Sequence, residues 1–334
     1  MKILIVGGTG NISWHCTTQA VEFGHEVWIL NRAATRATRR PPPVGVKEIT
    51  LDIRNKTAAL AALGHQEFDV VADFICFDEK QAEEDFELFQ GRTGHFIFIS
   101  SEAIYRRESA KQPFREDTQQ YMPEDVCSYV AGKIRAERAF LEKHKATGFP
   151  VTILRPGYTY DTIVPVSLGH NCFTAPQRAL TGKPLLIGGD GNNRWTFTHS
   201  SDFARAFVAV LGKPETIGRA IQVTSDFVHS WNEATEILAD ALGVTNPRFL
   251  HIPAEAVLKS ELGRQKELAT AKLSDATFTN AGIRSIVPEW SAEISLARGL
   301  RQTIAWLFED ATRRRIDLQL NAALEKLETE YDHF

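Results

Sequence analysis

The sequence predicts an α/β fold: a doubly wound parallel sheet with a smaller, mostly helical C-terminal lobe. Three observations predict it. Short apolar runs alternate with segments of helical period through the first half of the chain, beginning at residues 2–6. The links between them are short, as in parallel sheets that helices cover on both faces. After residue 157 the alternation loosens and helical periods dominate.

The elements follow in order. In the first half, strands are expected at 2–6, 26–30, 46–49, 68–75, 95–99 and 151–154, and helices at 12–23, 56–63, 79–89 and 124–144. In the second half, strands are expected at 185–187, 195–198 and 221–223. Helices are expected there at 171–181, 202–211, 231–242, 254–262, 275–281, 291–308 and 315–328.

Composition narrows the function. The chain has 334 residues, with 43% hydrophobic and 24% charged residues, which is typical of a globular protein. A net charge of −4 and a pI near 6.2 favour neither nucleic acid nor an anionic membrane as a partner. No apolar run approaches the ~20 residues of a membrane span. The four cysteines lack CxxC spacing and a histidine cluster, so we expect reduced thiols, a cytoplasmic location and no metal site.

A glycine-rich turn follows the first strand, with the sequence GGTGNIS at 7–13. Such a turn lets the backbone approach a pyrophosphate, and the helix that follows presents free amides and a positive dipole end. Ser13 stands where a third glycine is usual and is small enough for the helix to lie near the strand. The turn by itself also fits an ordinary strand–helix link, but its position favours a dinucleotide site. The expected contacts are Gly7, Thr9, Gly10, Asn11 and Ile12.

The end of the second strand indicates which nicotinamide cofactor binds. An acidic residue there would hold the ribose diol of NAD, whereas this chain has Asn31 and Arg32. Arginine suits a 2′-phosphate through charge-assisted hydrogen bonds. NADP is therefore preferred to NAD, with Arg32 and Arg36 as its candidates. Arg39 and Arg40 are expected to belong to a solvated loop.

A tyrosine and a lysine lie four residues apart on the predicted helix 124–144, at Tyr129 and Lys133. They share a helix face, and a nearby ammonium lowers the pKa of a phenol from its usual value of ~10. Ser101, at the end of the fifth strand, is placed to hydrogen-bond the same substrate oxygen. Two surface residues are the simpler interpretation of the pair alone. Together with the glycine turn, the three residues predict proton transfer beside a hydride carrier.

Several motifs together resemble one family. They are GGTGNIS at 7–13, DIRN at 52–55, FISSEAIY at 98–105, SYVAGK at 128–133 and LRPGYTYD at 154–161. In these the chain resembles the extended, atypical short-chain dehydrogenases/reductases of the NAD-dependent epimerase/dehydratase family. The resemblance implies a catalytic triad of Ser101, Tyr129 and Lys133. It also implies a homodimer and a small-molecule substrate.

The resemblance extends to the domains and to further site residues. It implies a Rossmann domain of residues 1–165 and 196–230 that binds the cofactor, and a substrate lobe of residues 166–195 and 231–334. Further expected cofactor contacts are Asp52, Ile53, Phe74, Lys133, Arg155, Pro156 and Gly157, although Asp52 equally fits a turn. Expected substrate contacts are Tyr105, Tyr158, Arg194 and His199.

The expected activity is that of an NAD(P)-dependent oxidoreductase or epimerase. Its substrate would be a nucleotide sugar or a related small molecule. One departure concerns Trp195, which stands where many nucleotide-sugar enzymes have an arginine that clamps a pyrophosphate. Such traits resemble atypical members related to the chloroplast stem-loop-binding group. The alternative is therefore a non-catalytic NADP-binding regulator, or an RNA-binding protein of the same fold.

Overall fold

A computed structural model describes residues 1–32, 39–107, 112–117, 121–125, 127–170, 172–264 and 271–332 of the protein. Its centre is a seven-stranded parallel sheet. The strands are β1 (Lys2–Val6), β2 (Glu26–Asn31), β3 (Lys47–Thr50), β4 (Phe68–Asp73), β5 (Thr93–Ile99), β6 (Val151–Pro156) and β10 (Ala220–Val223). Their order is β3-β2-β1-β4-β5-β6-β10, which confirms the predicted doubly wound sheet.

Helices cover both faces of this sheet. They are α1 (Ser13–Glu22), α2 (Lys56–Leu63), α3 (Glu79–Phe89), α4 (Ser128–Thr147) and α6 (Ser200–Val210). One apolar cluster joins the sheet to α1 and α6, and another joins it to α2, α3 and α4. Asn55 and Asp78 cap α2 and α3 by accepting hydrogen bonds from the amides of Ala58 and Gln81.

The remaining elements form a smaller, mostly helical C-terminal region. Its strands are β7 (Tyr158–Tyr160), β8 (Leu185–Gly188), β9 (Arg194–His199), β11 (Val228–Ser230) and β12 (Phe249–Ile252). Its helices are α5 (Thr174–Leu180), α7 (Trp231–Ala241), α8 (Ala254–Lys259), α9 (Glu261–Arg264), α10 (Ala281–Arg284), α11 (Leu296–Glu309) and α12 (Leu318–Tyr331). The strands pair as β11-β9-β7 and as β12-β8. Within the described residues, no helix is both long and apolar enough to cross a membrane.

One predicted helix, at 275–281, is wrong. The chain is extended there, because Ala276 bridges to Trp195 and Phe278 bridges to Phe114. These pairings bury both residues in the C-terminal core, and the helix α10 begins only at Ala281. Tertiary pairing therefore overrides the local helical pattern.

Candidate active site

A cleft of about 390 Å³ opens at the carboxyl ends of β1, β4 and β5. Its lining comes from both the main sheet and the C-terminal region. The residues are Gly7, Gly10, Asn11, Ile12, Ser13, Arg39, Phe74, Ile75, Phe77, Ser101, Glu102, Ala103, Tyr129, Gly157, Tyr158, Thr159, Ile163, Trp195 and Lys272. Ligands bind at this edge of open α/β sheets, so the cleft is the candidate active site.

The glycine turn forms one end of the cleft. Gly7 has φ +81°, and a Cβ there would lie 2.7 Å from Cγ2 of Ile75, so both the conformation and the space require glycine. Ser13 is buried, and its hydroxyl donates to the carbonyl of Gly7 (2.5 Å) and accepts from the amide of Gly10 (2.8 Å). The serine in place of a third glycine thus ties the turn together.

The start of α1 is open for an anion. Ile12 is the N-cap and has no side chain that can accept a hydrogen bond from the first helical amides. Asn11 turns away, donating to the carbonyl of Thr159 (3.3 Å) and accepting from the amide of Thr162 (3.0 Å). A bare helix start behind a glycine turn fits the pyrophosphate of a dinucleotide.

Arginines surround a second cavity, of about 260 Å³, beyond the glycine turn. Its lining includes three arginines and one carboxylate, so positive charge exceeds negative charge; these residues are Arg32, Arg39, Arg40 and Glu48, with Thr9 and Asn31 beside them. Partial burial, and in second place the charge of Arg32, lowers the pKa of the Arg39 guanidinium. Two arginines that repel each other beside a cavity suit an anionic group. Arg36 lies outside the described residues.

Arg40 is not the solvated residue that the sequence indicated. Its guanidinium donates to both carboxylate oxygens of Asp161, at 2.8 and 3.1 Å. It also lies over the rings of Trp14 (5.0 Å) and Trp306 (5.3 Å). Arg40 therefore joins the segment after β2 to α1 and to α11.

Two histidines lie close to Asp161, with the Nε2 atoms of His15 and His199 at 3.3 and 3.9 Å from its Oδ1. Three possible metal-ligand atoms lie within 4.8 Å of one another in the described residues, one each from His15, Asp161 and His199. The amide of Ser201 donates to Nδ1 of His199, so the proton of the neutral ring lies on Nε2, facing Asp161. Burial raises the pKa of Asp161, but the His15 and Arg40 hydrogen bonds lower it to about 2. Donors thus converge on one carboxylate, which does not suit a cation.

Tyr129 lies in the middle of the cleft. Tyr129 is 36% exposed and belongs to the cleft lining, so its phenol is accessible to a ligand in the cleft. Partial loss of hydration raises the pKa of Tyr129, and a hydrogen bond with Ser101 only partly opposes the shift. The structure therefore brings Ser101 and Tyr129 together. The expected lowering of the phenol pKa by the lysine is not observed, because Lys133 contacts other groups.

Lys133 is buried behind the tyrosine, on the same face of α4. Its Nζ donates to the carbonyl oxygens of Cys76 (2.6 Å) and Ile99 (2.7 Å), and lies 6.0 Å from the centre of the Tyr129 ring. Burial lowers the pKa of Lys133 to about 8, against the opposing effect of nearby acidic groups. α4 comes this close because Gly132 has no Cβ, which would lie 2.2 Å from the carbonyl oxygen of Phe77.

Two predicted contacts, Arg155 and Tyr105, instead belong to a buried network. Arg155 donates to both carboxylate oxygens of Glu137, to the Tyr105 hydroxyl (2.8 Å) and to the Tyr121 hydroxyl (2.7 Å). Tyr105 is fully buried and stacks on Phe114. The side chains of Arg155 and Tyr105 are therefore corrected from ligand contacts to a support for α4. Gly157, two residues after Arg155, does line the cleft.

The other predicted residues divide between the cleft and its surroundings. Phe74 and Tyr158 line it. His199 is a correction: it is buried among its protein partners. The side chains of Ile53 and Pro156 are also buried, Ile53 in the core under α2. The remaining two, Asp52 and Arg194, are outside the cleft lining: Asp52 accepts from the Arg54 amide in a turn, and Arg194 is exposed.

Sequence reasoning missed two charged residues of the cleft, Glu102 and Lys272. Both are buried, and Glu102 is ion-paired with Arg107. Glu102 lies within the motif FISSEAIY at 98–105 but was not singled out there, and Lys272 lies in no motif. The serine-rich segment before Glu102 was the nearest signal, whereas a lysine between Ala271 and Leu273 offers none.

The chain belongs to the NAD dependent epimerase/dehydratase family, which it matches over residues 3–224, more than half of its length. This confirms the resemblance inferred from the motifs. The family comprises NAD(P)-dependent epimerases and reductases, and nicotinamide dinucleotide binding is a property of the family.

Curated relatives are distant and differ in function. The chloroplast stem-loop binding protein of 41 kDa b of Arabidopsis thaliana is 23% identical over 94% of this chain and 81% of that protein. The 2'-dehydrokanamycin reductase of Streptomyces kanamyceticus is 22% identical over 98% of this chain and 90% of its own.

Solved structures share the fold. An epimerase of Methanothermobacter thermautotrophicus has a TM-score of 0.75 at 18% identity, with 93% of each chain covered. The UDP-glucuronic acid 4-epimerase of Bacillus cereus in complex with NAD has a TM-score of 0.72 at 19% identity, covering 92% of this chain and 99% of that one.

Proposed function

We propose that this protein is an NADP-dependent oxidoreductase that reduces a carbonyl group of a small molecule. The observation that carries the proposal is that Ser101 and Tyr129 line the same cleft as the glycine turn. NADPH, when bound, supplies the hydride. The glycine turn and the open start of α1 fit its pyrophosphate.

Tyr129 is the proton donor in this proposal. Its raised pKa keeps the phenol protonated at neutral pH, which suits donation to a carbonyl oxygen as the carbonyl carbon receives the hydride. Ser101 orients that oxygen through its hydroxyl. The buried Lys133 ammonium provides positive charge behind the phenol, which favours the phenolate left after the transfer. The products are the alcohol, NADP⁺ and a tyrosinate that water reprotonates.

Replacing Tyr129 by phenylalanine tests the proposal. Tyr129→Phe removes the proton donor and keeps the ring, so turnover falls by about 10²–10⁴-fold while the affinity for NADPH stays near that of the wild type. Turnover is followed as carbonyl-dependent loss of NADPH across a panel of small ketones and aldehydes. Tyr331→Phe, in the C-terminal helix, is the matched control and keeps full activity. Equal turnover in Tyr129→Phe and the wild type contradicts the proposal.

The preference for NADP over NAD is the second part of the proposal. It is supported by Arg32 and Arg39 on the cavity beyond the glycine turn. Each can form charge-assisted hydrogen bonds with a 2′-phosphate. An epimerase would also use a nicotinamide cofactor, but the protonated phenol favours reduction.

Paired titrations with NADPH and NADH test the arginines. Arg32→Ala and Arg39→Ala each weaken NADPH binding by about 10–100-fold and leave NADH binding nearly unchanged, because only NADPH carries the extra phosphate. Arg135→Ala, an exposed arginine of α4 paired with Glu124, is the control. Equal losses for both cofactors would contradict a 2′-phosphate site.

The second candidate is a nucleic-acid-binding role. The similarity to a stem-loop binding protein favours it, whereas the presence of Ser101, Tyr129 and Lys133 and the acidic net charge do not. A titration with a stem-loop RNA at several salt concentrations separates the two. Under the reductase proposal any binding is weak, and it decreases steeply as salt rises because only phosphate contacts contribute.

A further inference from the structure

Lys272 is a buried lysine at the end of the cleft that the C-terminal region lines. It is 3% exposed and yet belongs to the cleft lining. Its Nζ donates to the carbonyl oxygens of Val166 (2.7 Å) and Gly169 (2.9 Å). An ammonium has three donors, so the two carbonyls leave one N–H for a ligand.

The charge of Lys272 has no carboxylate partner among the residues that the structure describes. This contrasts with the nearby Glu102, which is ion-paired with Arg107, and so the pair contributes no net charge to the cleft. Burying an ammonium without a counter-charge is strongly unfavourable. A group of this kind in a cleft is therefore a candidate for ligand binding.

Aromatic rings form the walls around this end of the cleft. Tyr158 and Trp195 line it, with their ring centres 5.9 Å apart at nearly a right angle. The guanidinium of Arg107, which is paired with Glu102, lies 4.4 Å from the centre of the Trp195 ring. Lys272 Nζ lies 5.7 Å from the centre of the Tyr158 ring and 5.6 Å from that of Trp231. A space with flat apolar walls and one cation at its end fits a molecule with a flat apolar part and an anionic end.

We propose that Lys272 binds the substrate, and that the substrate is a small carbonyl compound with a flat apolar part and a negatively charged group that pairs with this ammonium. The size of the cleft supports a small compound, because about 390 Å³ must hold the reacting part of the cofactor as well. This inference rests on the proposed reductase function only in that the cleft receives a carbonyl substrate.

The affinity for the anionic group should depend on pH. Burial lowers the pKa of Lys272 to about 7, so the ammonium is present below that value and is lost as the pH rises. The groups that face it are the Tyr158 and Trp231 rings, the carbonyls of Val166 and Gly169, and the neighbouring Arg107, which donates to the carbonyl of Ala271 and is neutralised by Glu102. Binding of an anion therefore weakens between pH 6 and pH 8.

The experiment compares two probes that differ in charge, benzoylformate and its methyl ester. Each is titrated into the full chain saturated with NADP⁺, which cannot reduce them, and binding is read from the fluorescence of Trp195 and its neighbours. At pH 6 the wild type binds the acid about tenfold or more tightly than the ester. Lys272→Met removes this preference, whereas Lys272→Arg retains it at both pH 6 and pH 8.

Controls keep the result interpretable. Lys259→Met, on the exposed surface of α8, retains the preference. NADP⁺ affinity reports whether each variant is folded, and if Lys272→Met does not fold, the pH dependence of the wild type against Lys272→Arg decides. Equal or absent binding of both probes to the wild type, a preference that survives in Lys272→Met, or identical pH dependence of the wild type and Lys272→Arg would overturn the inference. The titration measures binding and needs no turnover. Its outcome therefore does not depend on the outcome of the Tyr129→Phe test.

Discussion

The two ends of the cleft are built in different ways. At the cofactor end, the main chain of residues 7–13 forms the surface, and Gly7 cannot carry a side chain. At the substrate end, the surface consists of side chains that come from separate parts of the chain, including Glu102, Tyr158, Trp195 and Lys272. Changes at the substrate end therefore leave the cofactor turn intact. This division allows one fold to keep its cofactor while its substrate changes.

Two buried lysines, Lys133 and Lys272, also differ in their surroundings. Lys133 and Lys272 each donate to two backbone carbonyls. Burial lowers the pKa of both, but acidic groups, Asp73 among them, oppose this at Lys133, where the pKa is about 8. At Lys272 burial acts alone and the pKa is about 7. One ammonium is thus balanced by the protein, and the other is left for a ligand.

The largest effect on turnover is expected for Lys133, whose charge is balanced by acidic groups of the protein. Lys133→Met removes the positive charge behind the phenol, and turnover at saturating NADPH falls by about 100-fold. Lys272→Met, measured with an uncharged ketone, changes turnover by no more than a few-fold. Steady-state rates of the two variants with the same ketone provide the measurement. Equal losses in both variants would show that the two lysines do not differ in role.

A smaller effect is expected from the backbone of the cofactor end. Gly7→Ala introduces both strain at φ +81° and a clash with Ile75, so NADPH affinity falls by about tenfold or more. Gly24→Ala is the matched control, since Gly24 has φ +79° but nothing within 4 Å of an added Cβ. That variant loses only about 1–2 kcal/mol of stability and binds NADPH normally. Isothermal titration and urea unfolding give both quantities, and equal NADPH affinities of the two variants would contradict the clash.

The smallest effect is the pH dependence of stability. In the unfolded chain Lys272 titrates near 10.5, and in the folded protein near 7. Between these values the unfolded state binds more protons, so the free energy of unfolding rises with pH, by at most about 1.4 kcal/mol per pH unit. Below pH 7 both states are protonated and this contribution is constant. Urea unfolding from pH 7 to pH 8, below the window of Lys133, should show a shallower rise in Lys272→Met than in Lys259→Met. An equal rise of the free energy of unfolding with pH in the two variants would contradict the assignment of this pH dependence to Lys272.

The helices of the main sheet and the cofactor end of the cleft could be predicted because their signals in the sequence are local. The helices α2 and α3 occupy the predicted residues, since Asn55 and Asp78 cap them and the apolar spacing is regular. The turn at 7–13 could also be predicted, because its positive φ at Gly7 favours glycine and the glycines are seen in the sequence. Ser101 and Tyr129 also lie together as predicted, although the role of each stays a prediction.

The substrate end could not be predicted because its residues meet only in the folded chain. Tyr105 is four residues after Ser101, but the 3₁₀ turn at Glu102–Ile104 places it in the core. There Arg155 donates a hydrogen bond to its hydroxyl. Lys272 reaches the cleft because the carbonyls of Val166 and Gly169 hold its ammonium, a contact across about a hundred residues of sequence. Neither relation has a periodic or local signature.

Arg40 connects the cavity beyond the glycine turn to the C-terminal region of the chain. Its guanidinium lies between Trp14, beside the glycine turn, and Trp306, in α11. The family match ends at residue 224, so a fragment cut there would keep every glycine of the turn and lose this second ring. Arg39, next to Arg40, would then be poorly placed. If Arg32 and Arg39 bind the 2′-phosphate as proposed, a fragment of residues 1–224 should therefore discriminate less between the two nicotinamide cofactors than the whole chain does.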